Sequence, residues 1–189
     1  MQLSILIPSL YETERLEMLS HLKCILFDQI EALNLSGQIE VLTCIDNKER
    51  TTGAKRNELL ELSTGKYIVF VDDDDLVSDS YISLIMEGIE KDVDVIGIRL
   101  KHYLNNALHG NTVHSLKYDK WDNIPHDNGI WEYLRCPNHL NPVKREYAIK
   151  AGFPDKTIGE DKEYSMKLRP MIFTEHFVRE PIYYYMQKA

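Results

Sequence analysis

Cysteine is scarce in this chain. Its 189 residues include three, and Cys24, Cys44 and Cys136 are far apart with no Cys-x-x-Cys pair, so neither a zinc site nor a disulfide framework is expected. Buried or half-buried thiols in a reducing compartment are the plain expectation. Positive charge is also in deficit. Lys and Arg number 22 against 30 Asp and Glu, for a formal net charge of −8. That balance argues against a broad phosphate-binding surface and leaves room only for a local basic groove. No apolar run approaches the roughly 18 residues of a spanning helix. The opening Met1-Gln2-Leu3-Ser4-Ile5-Leu6-Ile7-Pro8 lacks the basic flank of an export signal. The expectation is a cytoplasmic protein with no transmembrane segment.

Apolar residues make up 43% of the chain, enough for a sizeable core. Short apolar runs alternate with helical spacing through the first half. Leu3–Ile7 reads as a strand stopped by Pro8. Thr13–Leu33 reads as a helix capped by Thr13, and Ile39–Ile45 as a strand. Gly53–Leu62 is helical, Tyr67–Val71 a strand, Asp79–Lys91 a helix and Val93–Leu100 a strand. This order predicts right-handed crossovers and a mainly parallel central sheet with helices on both faces. Residues 101–143 show weak periodicity. Helices return at Lys144–Ala151 and Glu160–Leu168, and Ile182–Met186 closes the chain as a strand. No repeat or linker divides the sequence, so residues 1–189 read as one α/β domain.

In a parallel sheet the strand ends share one edge, where ligands bind. Here Pro8-Ser9 follows the first strand, Asp46-Asn47 the second, and Asp72-Asp73-Asp74-Asp75 the third. Along an extended chain Asp72 and Asp74 point the same way. Paired carboxylates repel unless a cation lies between them. Mg²⁺ or Mn²⁺ suits oxygen ligands and leaves coordination positions for phosphate, which suggests a nucleotide-diphosphate site. An EF-hand is excluded, because its glycine and closing glutamate fall on Val77 and Ser83. His139 lies between the acidic segments and is a candidate third metal ligand or acceptor contact. Trp121, Trp131 and Tyr133 are candidates for stacking on a sugar, although packing explains them as well. In Tyr183-Tyr184-Tyr185 the middle ring faces away from its neighbours.

Four segments together resemble family 2 glycosyltransferases of the GT-A (Rossmann-like) fold. Ser4-Ile5-Leu6-Ile7-Pro8-Ser9 is similar to the opening strand and turn. Gly53-Ala54-Lys55-Arg56-Asn57 is similar to the family's Gly-x-x-Arg-Asn helix. Asp72-Asp73-Asp74 fits its DxD motif, and Gly159-Glu160-Asp161 its Glu-Asp motif. Where the family often has Asp-Asp-Gly-Ser, this chain has Asp46-Asn47-Lys48-Glu49.

The resemblance implies an inverting, Mn²⁺- or Mg²⁺-dependent transfer from a nucleoside-diphosphate sugar, with UDP as the default nucleotide. It implies Asp161 as general base and Asp74 as principal metal ligand, with Asp72 at the ribose or, through water, at the metal. Asp46 would bond the nucleoside, Pro8 and Ser9 would line its pocket, and Asp73 joins the nucleotide-sugar set. Arg56, or Lys55 in its place, would face the base or the diphosphate. Residues 1–100 would bind the donor, and 101–189 the acceptor and carry the base. Asp161 falls in the first turn of a helix, where the dipole favours negative charge. The acceptor is open: a glycan, a lipid-linked sugar, a protein or a modified nucleic-acid base. A homo-oligomer is compatible with the sequence. The alternatives are a sugar nucleotidyltransferase, disfavoured because Pro8-Ser9-Leu10-Tyr11-Glu12 has no glycine for a phosphate loop, and a non-catalytic nucleotide-sugar-binding module.

Overall fold

The computed structural model describes residues 1–188. The first half runs β1 (Leu3–Leu10), α1 (Thr13–Ala32), β2 (Ile39–Asp46), α2 (Thr52–Leu62), β3 (Tyr67–Phe70), β4 (Leu76–Val77), α3 (Tyr81–Glu90) and β5 (Val95–Leu104). The second half continues with β6 (Ala107–His114), β7 (Asp122–Pro125), β8 (Trp131–Arg135), β9 (Val143–Lys144), α4 (Arg145–Ala151), α5 (Glu160–Leu168), a 3-10 turn and β10 (Glu175–Gln187).

One sheet takes strands from both halves, in the order β2-β1-β3-β9-β5-β6-β8-β7, with β10 on β5 and β4 on β10. β1 is parallel to β2 and to β3. The two-residue β9 runs against both β3 and β5, so β5 points the same way as β1, and β10 is parallel to it. The centre of the sheet is therefore mainly parallel, and β6, β8 and β7 extend it on one side.

Period-two alternation sorts the core into two layers. Leu3, Ile5 and Ile7 of β1 and Tyr67 and Val69 of β3 pack with Leu22 and Leu26 of α1 and Ile82 and Ile85 of α3. Leu6, Ile68 and Phe70 face the other way, against Leu59 of α2, Ala148 of α4 and Tyr164 and Leu168 of α5. β1 is buried along nearly its whole length, as a strand covered on both faces must be.

Several boundaries differ from the expectation. Pro8 does not stop β1, which continues to Leu10 with Pro8 in register with Cys44. Leu6 O accepts from Val71 N at 3.1 Å, so Leu6, and by alternation Pro8, turns toward the β3 side. β3 has ended there, and the N–H that proline lacks has no partner to serve. Thr13 lies inside α1, and the N-cap position is Glu12, with no side-chain cap bond. Residues 101–143 hold the end of β5, the three strands β6, β7 and β8, and the start of β9, and β7 is exposed at every position. β10 is 13 residues long rather than five, and its register slips on either side of Pro181. Cys24 is exposed, against the expected burial, whereas Cys44 and Cys136 are buried.

Candidate active site

β1, β2 and β3 end side by side, and a cleft of about 480 Å³ opens at their carboxyl edge. Pro8 and Ser9 line it from β1, Lys55 and Arg56 from α2, and Asp72 and Asp74 from the segment after β3. Leu10, Arg15, Lys48, Arg50, Thr52, Thr157 and Tyr185 complete the wall; of these the sequence points only to Tyr185 for a binding role, in the Tyr183-Tyr184-Tyr185 run. Five cationic side chains thus meet two carboxylates in an acidic protein: the local basic groove has a location.

The acidic run is a turn, not an extended strand, because Asp75 N donates to Asp72 O at 3.1 Å. Each aspartate has its own surroundings. Asp73 continues the alternation of β3 toward α1, where Ser9 Oγ donates to it at 2.5 Å and Arg15 Nε at 3.1 Å. Its side chain is fully buried within this cluster. The same Arg15 also pairs with Asp74, which is 39% exposed and is the open carboxylate of the turn. Asp75 is buried and accepts from Tyr183 Oη at 2.6 Å and from Met186 N at 2.8 Å. Burial, with Asp72 nearby, raises its pKa well above the carboxylate range. Tyr183 Oη also accepts from Asp72 N at 3.2 Å, so β10 is fastened to the turn.

Asp72 turns the other way. Arg56 Nη2 donates to Asp72 Oδ1 at 2.7 Å, and His139 Nε2 lies 3.4 Å from Oδ2. Burial opposes its charge, but Arg56 and His139 outweigh burial and hold the Asp72 pKa far below the usual range. Arg56 is 3% exposed and its Nη1 reaches Glu160 Oε1 at 2.6 Å. Its guanidinium lies over the Phe70 and Phe153 rings. Arg56 therefore bridges the acid turn to the first turn of α5. The rest of its motif serves the same junction. Asn57 exchanges two 2.9 Å bonds with the Phe153 backbone. Gly53 N donates to Lys156 O at 3.1 Å, and a Cβ on Gly53 would stand 1.9 Å from Pro154 O. Gly-x-x-Arg-Asn thus clamps residues 153–160, while Arg56 also lines the cleft.

The clamped loop ends at Gly159, whose φ of 76° is a glycine conformation. Glu160 turns inward to Arg56. Asp161 is half-buried in the first turn of α5; its Oδ1 accepts from Lys162 N at 2.8 Å, and it is not among the residues that line the cleft. Burial and then the charges of Asp75, Asp72, Asp74 and Asp161 raise the pKa of the Tyr185 hydroxyl. On the opposite side of the cleft, Lys55 Nζ donates to Ser9 O at 2.8 Å and to Asp46 Oδ1 at 2.9 Å. Burial would raise the Asp46 carboxyl, but Lys55 and Arg50 hold it below the ordinary range.

Asp72 and Asp74 offer oxygen donors to one cleft, which fits Mg²⁺ or Mn²⁺ held by one or two carboxylates and otherwise by phosphate and water. They do not make an all-protein cage. Among the described residues no group of three or more His, Cys, Asp and Glu is placed to hold a metal ion. The expected trio of Asp72, Asp74 and His139 does not converge, because Asp74 turns to Arg15 while His139 packs against Asp72.

A mainly parallel sheet with helices on both faces and an acid turn after its third strand has the layout of the GT-A fold. A model of glycosyl transferase family 2 matches residues 28–148, and the chain belongs to that family. Solved structures agree in fold. The crystal structure of S. aureus TarS 1-349 superposes with a TM-score of 0.67 at 16% identity, covering 98% of this chain and 60% of that one. TarS 1-349 in complex with UDP-GlcNAc gives 0.68 at 15%, covering 100% and 59%. The complex with UDP gives 0.67 at 16%, covering 99% and 61%. The chain thus spans about three fifths of those TarS structures. Curated protein sequences yield no match. Asp161, Pro8, Ser9 and Arg15 lie outside the matched segment. No helix among the described residues is long and apolar enough to cross a membrane.

Proposed function

We propose that the chain is an inverting, metal-assisted glycosyltransferase that takes a nucleoside-diphosphate sugar in the 480 Å³ cleft. The observation that carries this reading is the meeting of Asp72 and Asp74 with five cations at the carboxyl edge of β1, β2 and β3. UDP is the proposed nucleotide, supported by TarS structures holding UDP-GlcNAc and UDP. Asp46, fixed by Lys55, bonds the nucleoside, and Pro8 and Ser9 shape its pocket. Arg15, Lys48 and Arg50 face the negative charge of the diphosphate. Asp74, with Asp72 beside it, holds the cation, which when bound stabilises the charge growing on the leaving diphosphate. The Asp161 carboxylate takes the proton of the acceptor hydroxyl on the opposite side of the sugar. Arg56 acts through Glu160 and Asp72 by fixing α5 against the acid turn, which sets where Asp161 stands. Residues 1–100 supply most of the donor cleft. Residues 101–189 supply the base and, with Thr157 and Tyr185, the remaining wall.

The test is a melting series with UDP. Added UDP raises Tm in Mn²⁺ and much less in EDTA, and Asp74→Asn removes the Mn²⁺-dependent part. Equal shifts in EDTA and Mn²⁺ would overturn the metal assignment. The lack of any shift with nucleoside diphosphates would overturn the donor assignment.

A further inference from the structure

Beyond Tyr185 the sheet carries a row of rings that donor binding leaves unused. Tyr185 of β10 is the register partner of His102 on β5, His102 of Gly110 on β6, and Gly110 of Trp131 on β8. Tyr133, two residues along β8 from Trp131, shares its face. It leans over the glycine: a Cβ on Gly110 would stand 2.6 Å from the Tyr133 ring. The rings touch in sequence. His102 lies 4.8 Å from Tyr185 and 5.4 Å from Tyr133 between centroids. Trp131 and Tyr133 are 6.3 Å apart and within 12° of parallel. His102, Tyr133 and Trp131 are half-buried, and Tyr185 is 40% exposed, so the row keeps ring surface open to solvent.

One end of the row is the donor cleft, which Tyr185 lines. At the other end stands Arg135, on the same face of β8, with its guanidinium 5.3 Å from the Tyr133 centroid. Arg135 also lies 4.9 Å from the Trp121 centroid, and Trp121 in turn meets α5, with Lys162 Nζ 5.9 Å from its ring and its Nε1 donating to Ser165 Oγ at 3.3 Å, so this end of the row lies against the helix whose first turn carries Asp161. We propose that this row is the acceptor subsite, and that its acceptor is an uncharged glycan whose sugar rings lie on Tyr133 and Trp131. The proposal rests on the glycosyltransferase reading and names its second substrate.

The chemistry of the row selects a glycan. A pyranose has an apolar C–H face and a hydroxyl rim, which suits aromatic rings with polar edges. Gln187, bonded to His102 Nε2 at 2.9 Å, and the tyrosine hydroxyls supply such edges. A single-stranded nucleic acid would stack as well, but it needs a basic track for its phosphates. Here one cation, Arg135 beside Tyr133, is no such track, and Tyr185 at the start of the row lines the clefts of Asp72, Asp74 and Asp75.

Trp121 and Trp131 are the two tryptophans, so Trp121→Phe leaves Trp131 as the sole indole reporter. The probes are neutral tetrasaccharides of β-linked glucose, N-acetylglucosamine and galactose, an oligothymidylate, and UDP with Mn²⁺. A saturable change in Trp131 emission with a tetrasaccharide is expected, weakened at least about tenfold by Tyr133→Ala and by His102→Ala. Should Tyr133→Ala fail to fold, His102→Ala carries the test. No response to any tetrasaccharide, in protein whose Tm still rises with UDP, overturns the acceptor subsite and leaves the donor reading standing. Saturable binding of the oligothymidylate alone overturns it in favour of nucleic acid. A tetrasaccharide response without a UDP response upholds the platform and overturns the donor reading.

Discussion

Replacing Arg56 by Met tests whether the Gly-x-x-Arg-Asn helix works as a clamp. Met keeps most of the volume against Phe70 and Phe153 and removes the charge. Glu160 is then left 7% exposed with its cation gone, whereas Asp72, at 26%, keeps water and His139. Removing one partner of a buried ion pair costs about 3–5 kcal/mol, most of it from the stranded charge. In a domain of this size that corresponds to a Tm lower by about 6–20 °C. Because the loss is assigned to Glu160, a second change to Gln should return part of it. The Arg56→Met/Glu160→Gln protein is expected to be more stable than Arg56→Met by about 1–3 kcal/mol. Urea denaturation followed by circular dichroism reads both numbers, and amide exchange reads the loop. Protection should fall first in residues 153–164, the segment that α2 holds. The reasoning is refuted if Arg56→Met loses less than about 1 kcal/mol, or if Glu160→Gln makes the Met variant worse.

Other outcomes follow from the same geometry. Asp161→Asn should lower transfer by about 10²–10⁴-fold and leave the UDP-induced Tm shift in place; a loss of UDP binding would count against its role as base. Gly53→Ala sets two effects against each other. Helix propensity favours Ala by about 1 kcal/mol, but the new Cβ meets backbone, the Pro154 carbonyl, at 1.9 Å. The contact should win, with a net loss of about 1–3 kcal/mol read as a lower urea midpoint; a gain in stability would refute the clamp. His114 tests the acid limb. Burial pushes its pKa down from 6.5 to about 3, so between those values the unfolded chain binds a proton that the folded chain refuses. Stability contributed by neutral His114 is therefore complete above pH 6.5 and is lost as pH falls toward 3. His114→Gln should flatten the dependence of urea stability on pH between about pH 6 and pH 4, and parallel curves would refute it.

The first half of the fold was legible because β1, β3 and the start of β5 are buried on both faces and read as mainly apolar runs. The helices beside them have one side to bury and show it in their spacing. The same physics hid the second half. β6, β7 and β8 lie toward the edge of the sheet and are half-buried or exposed at most positions, Gly110, Val113 and His114 excepted, so most of their residues answer to water as much as to a core. β10 was legible only at its buried end, since Pro181 breaks its register and Arg179 and Glu180 are exposed. Pro8 misled for a related reason: a missing N–H ends a strand only when a neighbouring strand needs that donor.

At the site, position was easier to read than direction. Strand order alone places Asp46, Asp72 and Asp74 at one edge, and the structure has them there. Which way each carboxylate turns depends on partners distant in sequence: Arg15 from the first turn of α1, Arg56 from α2, Tyr183 from β10. Arg15 left a usable signal, since a helix entered straight from β1 must begin at the carboxyl edge, and a cation in its first turn faces whatever lies there. Glu160 left one too. Adjacent residues in a helical first turn point roughly 100° apart, so Glu160 and Asp161 cannot both face the cleft, and an arginine on α2 is the partner that lets the inward one stay charged. The Gly-x-x-Arg-Asn and Glu-Asp segments thus form one device. The first fixes the loop and neutralises Glu160, which leaves Asp161, the proposed base, as the carboxylate of the pair that Arg56 does not bond.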